Sequence, residues 1–118
     1  MESEIKKILK LDVPVAHLKY KGNKKTYVVW TIIDEEPLCS SNDEITDSEV
    51  TVDIDIYSDS NYLKIMSLIK NKMKENEWTW DGDSQEFFEE ETGLYHRTCS
   101  FKKGRYLNGK YRTKNSKI

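Results

Sequence analysis

Val50-Thr51-Val52-Asp53-Ile54-Asp55-Ile56-Tyr57 is an alternating stretch that leads directly into a helical one. Val50, Val52, Ile54 and Ile56 fall on one side and Thr51, Asp53, Asp55 and Tyr57 on the other, the period of a strand with one buried face. Ser58-Asp59-Ser60-Asn61 follows, a run of short side-chain oxygens suited to accepting the free amides of a first helical turn. From Tyr62 to about Met73 the apolar residues recur at helical spacing: Tyr62, Met66, Ile69 and Met73 in line, with Ile65 and Leu68 beside them. A strand and helix so closely joined must fold back on each other to bury both apolar faces.

Working outward, Glu2 to Leu11 reads as a short helix with Ile5, Ile8 and Leu9 on one side, ended by Pro14. Val15 to Tyr20 is extended, and Lys21-Gly-Asn-Lys-Lys25 has the composition of a turn. Tyr27-Val-Val-Trp-Thr-Ile-Ile33 carries apolar residues on both faces, as a central strand does. Asp34 to Glu49 is polar and reads as a long mobile loop. Trp78-Thr-Trp80 would place two indoles on one face if extended, Asp81-Gly82 is a turn signal, and Ser84 to Glu91 fits either a strand or a helical turn. Leu94 to Phe101 is a last alternating strand, with Tyr95, Cys99 and Phe101 inward and Arg97 interrupting them. The expected fold is α+β: a mainly antiparallel sheet of about four strands, two helices packed on one face, and the loop 34–49. Residues 1–106 form a single domain and 107–118 a basic tail. The core centres on Val29, Ile54, Ile56, Met66 and Ile69.

A chain of 118 residues buries roughly two-thirds of its unfolded surface without staples. With 36% hydrophobic and 34% charged residues it lies at the polar end of the globular range. Two cysteines, Cys39 and Cys99, do not make a disulfide scaffold. The N-terminus lacks the apolar region of a secretion signal and no apolar run reaches membrane-spanning length, so reduced thiols and a cytosolic setting are expected. The net charge of −2 is segregated: Asp34 to Asp59 holds ten carboxylates and no cation, whereas Lys102 to Ile118 holds seven cations and no carboxylate side chain. Either the blocks are solvated loop and tail, or each meets a surface on another chain.

Catalytic chemistry finds little support. His17 and His96 have no metal-ligand spacing, the five glycines are dispersed, and Cys39 sits among carboxylates that disfavour its thiolate. Asp53 with Asp55, and Glu89 to Glu91, read as the wet face of a strand and a solvated run. The expectation is a non-enzyme without cofactor or metal. Tyr106 and Tyr111 among the C-terminal cations could serve nucleic-acid binding, an alternative of a different class.

Three segments in order resemble the small tail completion, or tail terminator, proteins of long-tailed bacteriophages: Tyr27–Ile33 followed by an acidic loop with Pro37; Val50–Tyr57 with its immediate helix; and Phe88-Glu-Glu-Glu-Thr-Gly-Leu-Tyr-His96 leading to a strand ending near Phe101. The resemblance spans about residues 14–106. It implies a ring subunit, hexameric in that family, that caps the tail tube, ends its polymerisation and joins a head-completion protein. DNA would pass through the bore unbound, with the protein located at the head-proximal end of the virion tail. A head–tail connector is the neighbouring alternative. For such a ring the candidate interface residues are Asp34, Glu35, Glu36, Asp43 and Glu44 on the acidic side, and Lys102, Lys103, Arg105, Lys110 and Arg112 on the basic side.

Overall fold

The computed structural model describes residues 2–39 and 45–106. It runs α1 (Glu2–Ile8), β1 (Val15–His17), β2 (Tyr27–Cys39), β3 (Ile45–Ser58), α2 (Leu63–Glu75), β4 (Thr79–Asp83), β5 (Phe87–Glu89) and β6 (Leu94–Tyr106). The strands form one sheet in the order β1-β2-β3-β6-β4, with β5 pairing β6 further along the edge that β4 also uses. Every pairing is antiparallel except β1 with β2. That parallel pair is only three residues long; Leu18, at φ 70°, turns the chain away immediately after it.

The alternation in β3 organises the core. Val50, Val52, Ile54 and Ile56 are all at most 1% exposed. Their ladder partners on the same face are Ile32 and Phe101 for Val52, Trp30 and Cys99 for Ile54, and Val28 for Ile56. Ile5, Ile8 and Leu9 beside α1, and Tyr62, Met66, Ile69 and Met73 of the α2 line, enter this same cluster, so both helices cover one face of the sheet. Asn61 supports the start of α2 by accepting the Leu63 amide at 2.9 Å. The helix ends in a Schellman arrangement: Trp78 N–H donates to the Met73 carbonyl at 2.9 Å and Glu77 N–H to the Lys74 carbonyl at 3.0 Å. Met73 and Trp78, both buried, supply its hydrophobic contact.

Several expectations are corrected. Val29 is buried, but it stands opposite Asp55 on the face away from the helices; Val28 and Trp30 hold the core positions instead. Leu68 and Tyr95, at 44% and 37% exposure, lie outside the core. Asp81-Gly82 forms a bulge within β4 rather than a hairpin turn, with Gly82 at φ 109°. Among the described residues the sheet has six strands, the expected four (β1, β2, β3 and β6) plus β4 and β5, which add to the β6 edge.

The largest correction concerns the loop 34–49. Asp34–Cys39 continues β2 and Ile45–Glu49 begins β3, paired from Asp34 opposite Thr51 to Cys39 opposite Ile45; residues 40–44 lie outside the described ones. Backbone ladders need no apolar side chains, only paired amides and carbonyls. The lower half of β3 is bonded on both sides, since Asp47–Thr51 also pairs with Lys102–Tyr106. A polar sequence therefore forms strand here because it is one arm of a three-stranded ribbon.

Candidate assembly surface

β2, β3 and β6 are 13, 14 and 13 residues long, more than twice the usual strand. Their excess forms the ribbon: 34–39 of β2, 45–51 of β3 and 102–106 of β6. Beyond Trp30, β2 pairs only with β3 among the described residues, and beyond Lys102, β6 does likewise. The ribbon thus has two open edges. Asp34-Glu35-Glu36 occupies the β2 edge; on β6 the open stretch is Lys103–Tyr106, because Lys102 is still paired with Thr79 of β4. Unpaired strand edges are templates for another chain, and charge is a common means of restricting which chain can add.

Asp34, Glu35 and Glu36 are exposed. Glu35 is held by the buried Ser48, whose hydroxyl donates to Oε2 at 2.7 Å. Lys102 keeps 39% of its side chain accessible and lies 3.9 Å from Glu49 and 3.7 Å from Asp81. Arg105 stands opposite Ser48 in the β3–β6 ladder. Asp43, Glu44, Lys110 and Arg112 lie outside the described residues.

Lys103 is not part of an exposed interface. Its side chain is 6% accessible, and its Nζ donates to Glu4 Oε2 at 2.8 Å and to the Asn76 carbonyl at 2.7 Å. The ammonium also lies 5.6 Å from the Trp78 ring centroid. Lys103 therefore ties β6 to α1 and to the end of α2, beneath Val50. The alternation places residues 97, 99, 101 and 103 on the inner face, a signal available in the sequence once β6 is extended past Phe101. The encounter between acidic and basic blocks is thus partly intramolecular: Asp47–Thr51 lies alongside Lys102–Tyr106 in the same sheet.

The face opposite the helices carries a band of stacked rings that sequence reading did not identify. Tyr20, Tyr27, Tyr57 and His96 stack in order, with centroids 4.2, 4.8 and 4.2 Å apart. The Tyr27–Tyr57 and Tyr57–His96 register pairs explain it, since cross-strand neighbours on one face bring their side chains together. Beside the band, Asp55 Oδ1 meets His96 Nε2 at 2.9 Å and accepts from Thr98 Oγ1 at 2.5 Å, while Asp53 accepts from Ser100 at 2.6 Å. Burial, then the nearby Asp55 carboxylate, pushes the Tyr57 phenol up to about 12. The carboxylates of the alternating strand are therefore occupied in cross-strand hydrogen bonds on a flat surface. They form no enclosed acid–base pair.

A cleft at the start of α2, of about 670 Å³, is bounded by Asp59, Asn61, Leu63, Glu86, Tyr95 and Arg97. Tyr62 donates to Glu86 there, and Arg97 Nε donates to the Ser84 carbonyl at 3.0 Å. Among the described residues no group of three His, Cys, Asp or Glu side chains is placed to hold a metal ion, and no helix is long and apolar enough to cross a membrane. The sequence matches no model of a known protein family, and no curated protein matches it.

Proposed function

We propose that this chain is a structural subunit of a bacteriophage tail. It closes into a ring, hexameric on the resemblance above, that caps the tail tube, ends its polymerisation and offers the joining surface for the head. The observation that carries this reading is the ribbon with two open backbone edges, one of them lined by the exposed Asp34, Glu35 and Glu36. In this reading the acidic β2 edge of one subunit adds to the β6 edge of the next, where the sequence supplies Arg105 with Lys102 beside it, a head-to-tail contact that makes rings when the rotation closes. The core and its two helices provide a rigid body from which the ribbon projects. An acidic surface lining the bore would repel DNA and let it pass.

A head–tail connector ring would use the same edges, and gene neighbours separate the two. Of the cations on which the nucleic-acid alternative rests, Lys103 is committed to Glu4 and Asn76 and Lys102 lies near two carboxylates; a salt-dependent DNA shift assay tests that alternative.

The test is mass by light scattering over a concentration series, alone and with polymerised tail tubes, followed by electron microscopy for rings. Association should weaken with salt over a screening length of about 8 Å at physiological ionic strength. It should fail in the Asp34→Lys/Glu36→Lys variant and return when that variant is mixed with Lys102→Glu/Arg105→Glu. A monomer under all conditions, or rings indifferent to these changes, would sink the reading.

A further inference from the structure

On the helix side of the sheet a groove of about 430 Å³ opens between α2 and β4, lined by Lys70, Asn71, Lys74, Trp78, Thr79, Trp80 and Phe101. Trp78 and Phe101 are buried at its base, whereas Trp80 is 54% exposed. An indole that far out of the core adds little to folding, yet Trp80 is held in place. Its Nε1 donates to Asp83 Oδ1 at 2.9 Å; Lys70 Nζ donates to Asp83 Oδ2 at 2.8 Å and stands 4.7 Å from the Trp80 ring centroid. Burial alone would raise the Asp83 carboxyl, but hydrogen bonds from Lys70, Trp80 and Cys99 outweigh it and hold it below the ordinary value. The Asp83 carboxylate thus stays charged at neutral pH.

The backbone is shaped for this clamp. The β4–β6 register shifts between Trp80 and Asp83, and the bulge includes Gly82 at φ 109°, a conformation that disfavours other residues. Without the bulge, residues three apart on a strand would point to opposite faces. Bulges at sheet edges re-aim side chains in this way and also discourage another strand from adding. The result is a pre-organised tryptophan beside a concave apolar floor, the anatomy of an interface anchor.

Charge selects the occupant. The lining residues include two cations and no carboxylate. Lys70 answers Asp83, while Lys74, exposed on the same helix face one turn later, makes no ion pair among the described residues. Trp78 Nε1 is buried without an acceptor among the described residues. We propose that the groove between α2 and β4 docks an acidic segment of a partner protein, which sets an apolar side chain against Trp80 and a carboxylate at Lys74. This does not rest on the ring reading, because it uses neither the acidic β2 edge nor Arg105.

The test titrates the full chain with a short synthetic peptide of aspartates and glutamates around one phenylalanine, and with its lysine-flanked counterpart. Binding is followed by the indole N–H signals of Trp30, Trp78 and Trp80 in a two-dimensional NMR spectrum. The acidic peptide should move the Trp78 and Trp80 signals and leave that of the buried Trp30 in place. The lysine peptide should bind at least about tenfold more weakly, and Lys74→Glu should cost the acidic peptide about tenfold. Trp80→Ala, which keeps the fold because the ring is exposed, should abolish binding with an unchanged far-ultraviolet spectrum. Unmoved signals, equal binding of the two peptides, or indifference to Lys74→Glu would overturn the proposal. So would equal affinity for oligothymidylate, or self-association that moves the same signals, since each names a different occupant.

Discussion

Lys103→Met keeps the apolar stem of a buried side chain and removes its charge, so it isolates what the ammonium does. In the native protein Nζ donates to Glu4 at 2.8 Å and to the Asn76 carbonyl at 2.7 Å, from a side chain 6% accessible. Removing one partner of a buried ion pair costs roughly 3–5 kcal/mol, because the other charge is left desolvated. The Glu4 side chain is 20% accessible, but its Oε1 is already buried without a hydrogen-bond partner among the described residues, so the abandoned carboxylate is poorly hydrated and the whole range applies. The orphaned carbonyl at the end of α2 adds about 1 kcal/mol. Retention of the stem and relaxation of α1 offset part of this, and we expect a net loss of about 3 kcal/mol. Glu4→Gln should cost about 1 kcal/mol, and the double variant at least about 1 kcal/mol less than the sum, since the two changes remove one interaction. Urea unfolding followed by circular dichroism, with slopes compared across the four proteins, measures all of this. A loss below about 1 kcal/mol for Lys103→Met, or strict additivity, would mean that Lys103 behaves as a surface charge and that β6 is not anchored as described.

Ile54→Ala, at a fully buried site between Trp30 and Cys99, should cost about 2–5 kcal/mol. Asp53→Ala, which loses one hydrogen bond from Ser100, should cost about 1 kcal/mol; the reverse order would invert the faces of β3. Glu77 occupies the left-handed position after α2 at φ 70°, so Glu77→Gly should stabilise by about 1 kcal/mol, and a destabilised variant would refute the Schellman assignment. Burial, then the Asp83 carboxylate, pushes the Cys99 thiol from 9.0 up to about 12. Below pH 9.0 this thiol is neutral in both states; as pH rises toward 12 the unfolded chain ionises first, and its contribution to stability is lost. In a Cys39→Ser background, thiol reagents should therefore label Cys99 only as fast as the protein opens, and rapid labelling of the folded form would refute its burial. Hydrogen exchange should show the amides of residues 47–51 protected as members of a central strand, and prompt exchange there would restore the loop reading of 34–49.

Period and capping determined the inner half of this protein from sequence alone. The two-residue alternation of Val50–Tyr57 and the helical line Tyr62, Met66, Ile69 and Met73 specify their buried faces, because a buried apolar side chain has only one face to occupy. Ile5, Ile8 and Leu9 follow the same logic. The outer half was decided by tertiary structure. In the ribbon the ladder is made by backbone groups that every residue except proline carries in full, so Asp34–Glu36 and Lys102–Arg105 leave no hydrophobic trace of being strands. Register, set by the buried residues further along, brings them together. The side that Val29 takes is not legible because Tyr27–Ile33 is apolar on both faces, and only its pairing with Asp55 settles which side faces the helices. Lys103 became a buried tie, and Trp80 a clamped surface ring, through contacts with Glu4, Asn76 and Asp83 that lie far along the chain or across a bulge. A charge or ring takes its role from the partners that folding supplies, and the residue's type and spacing do not name those partners.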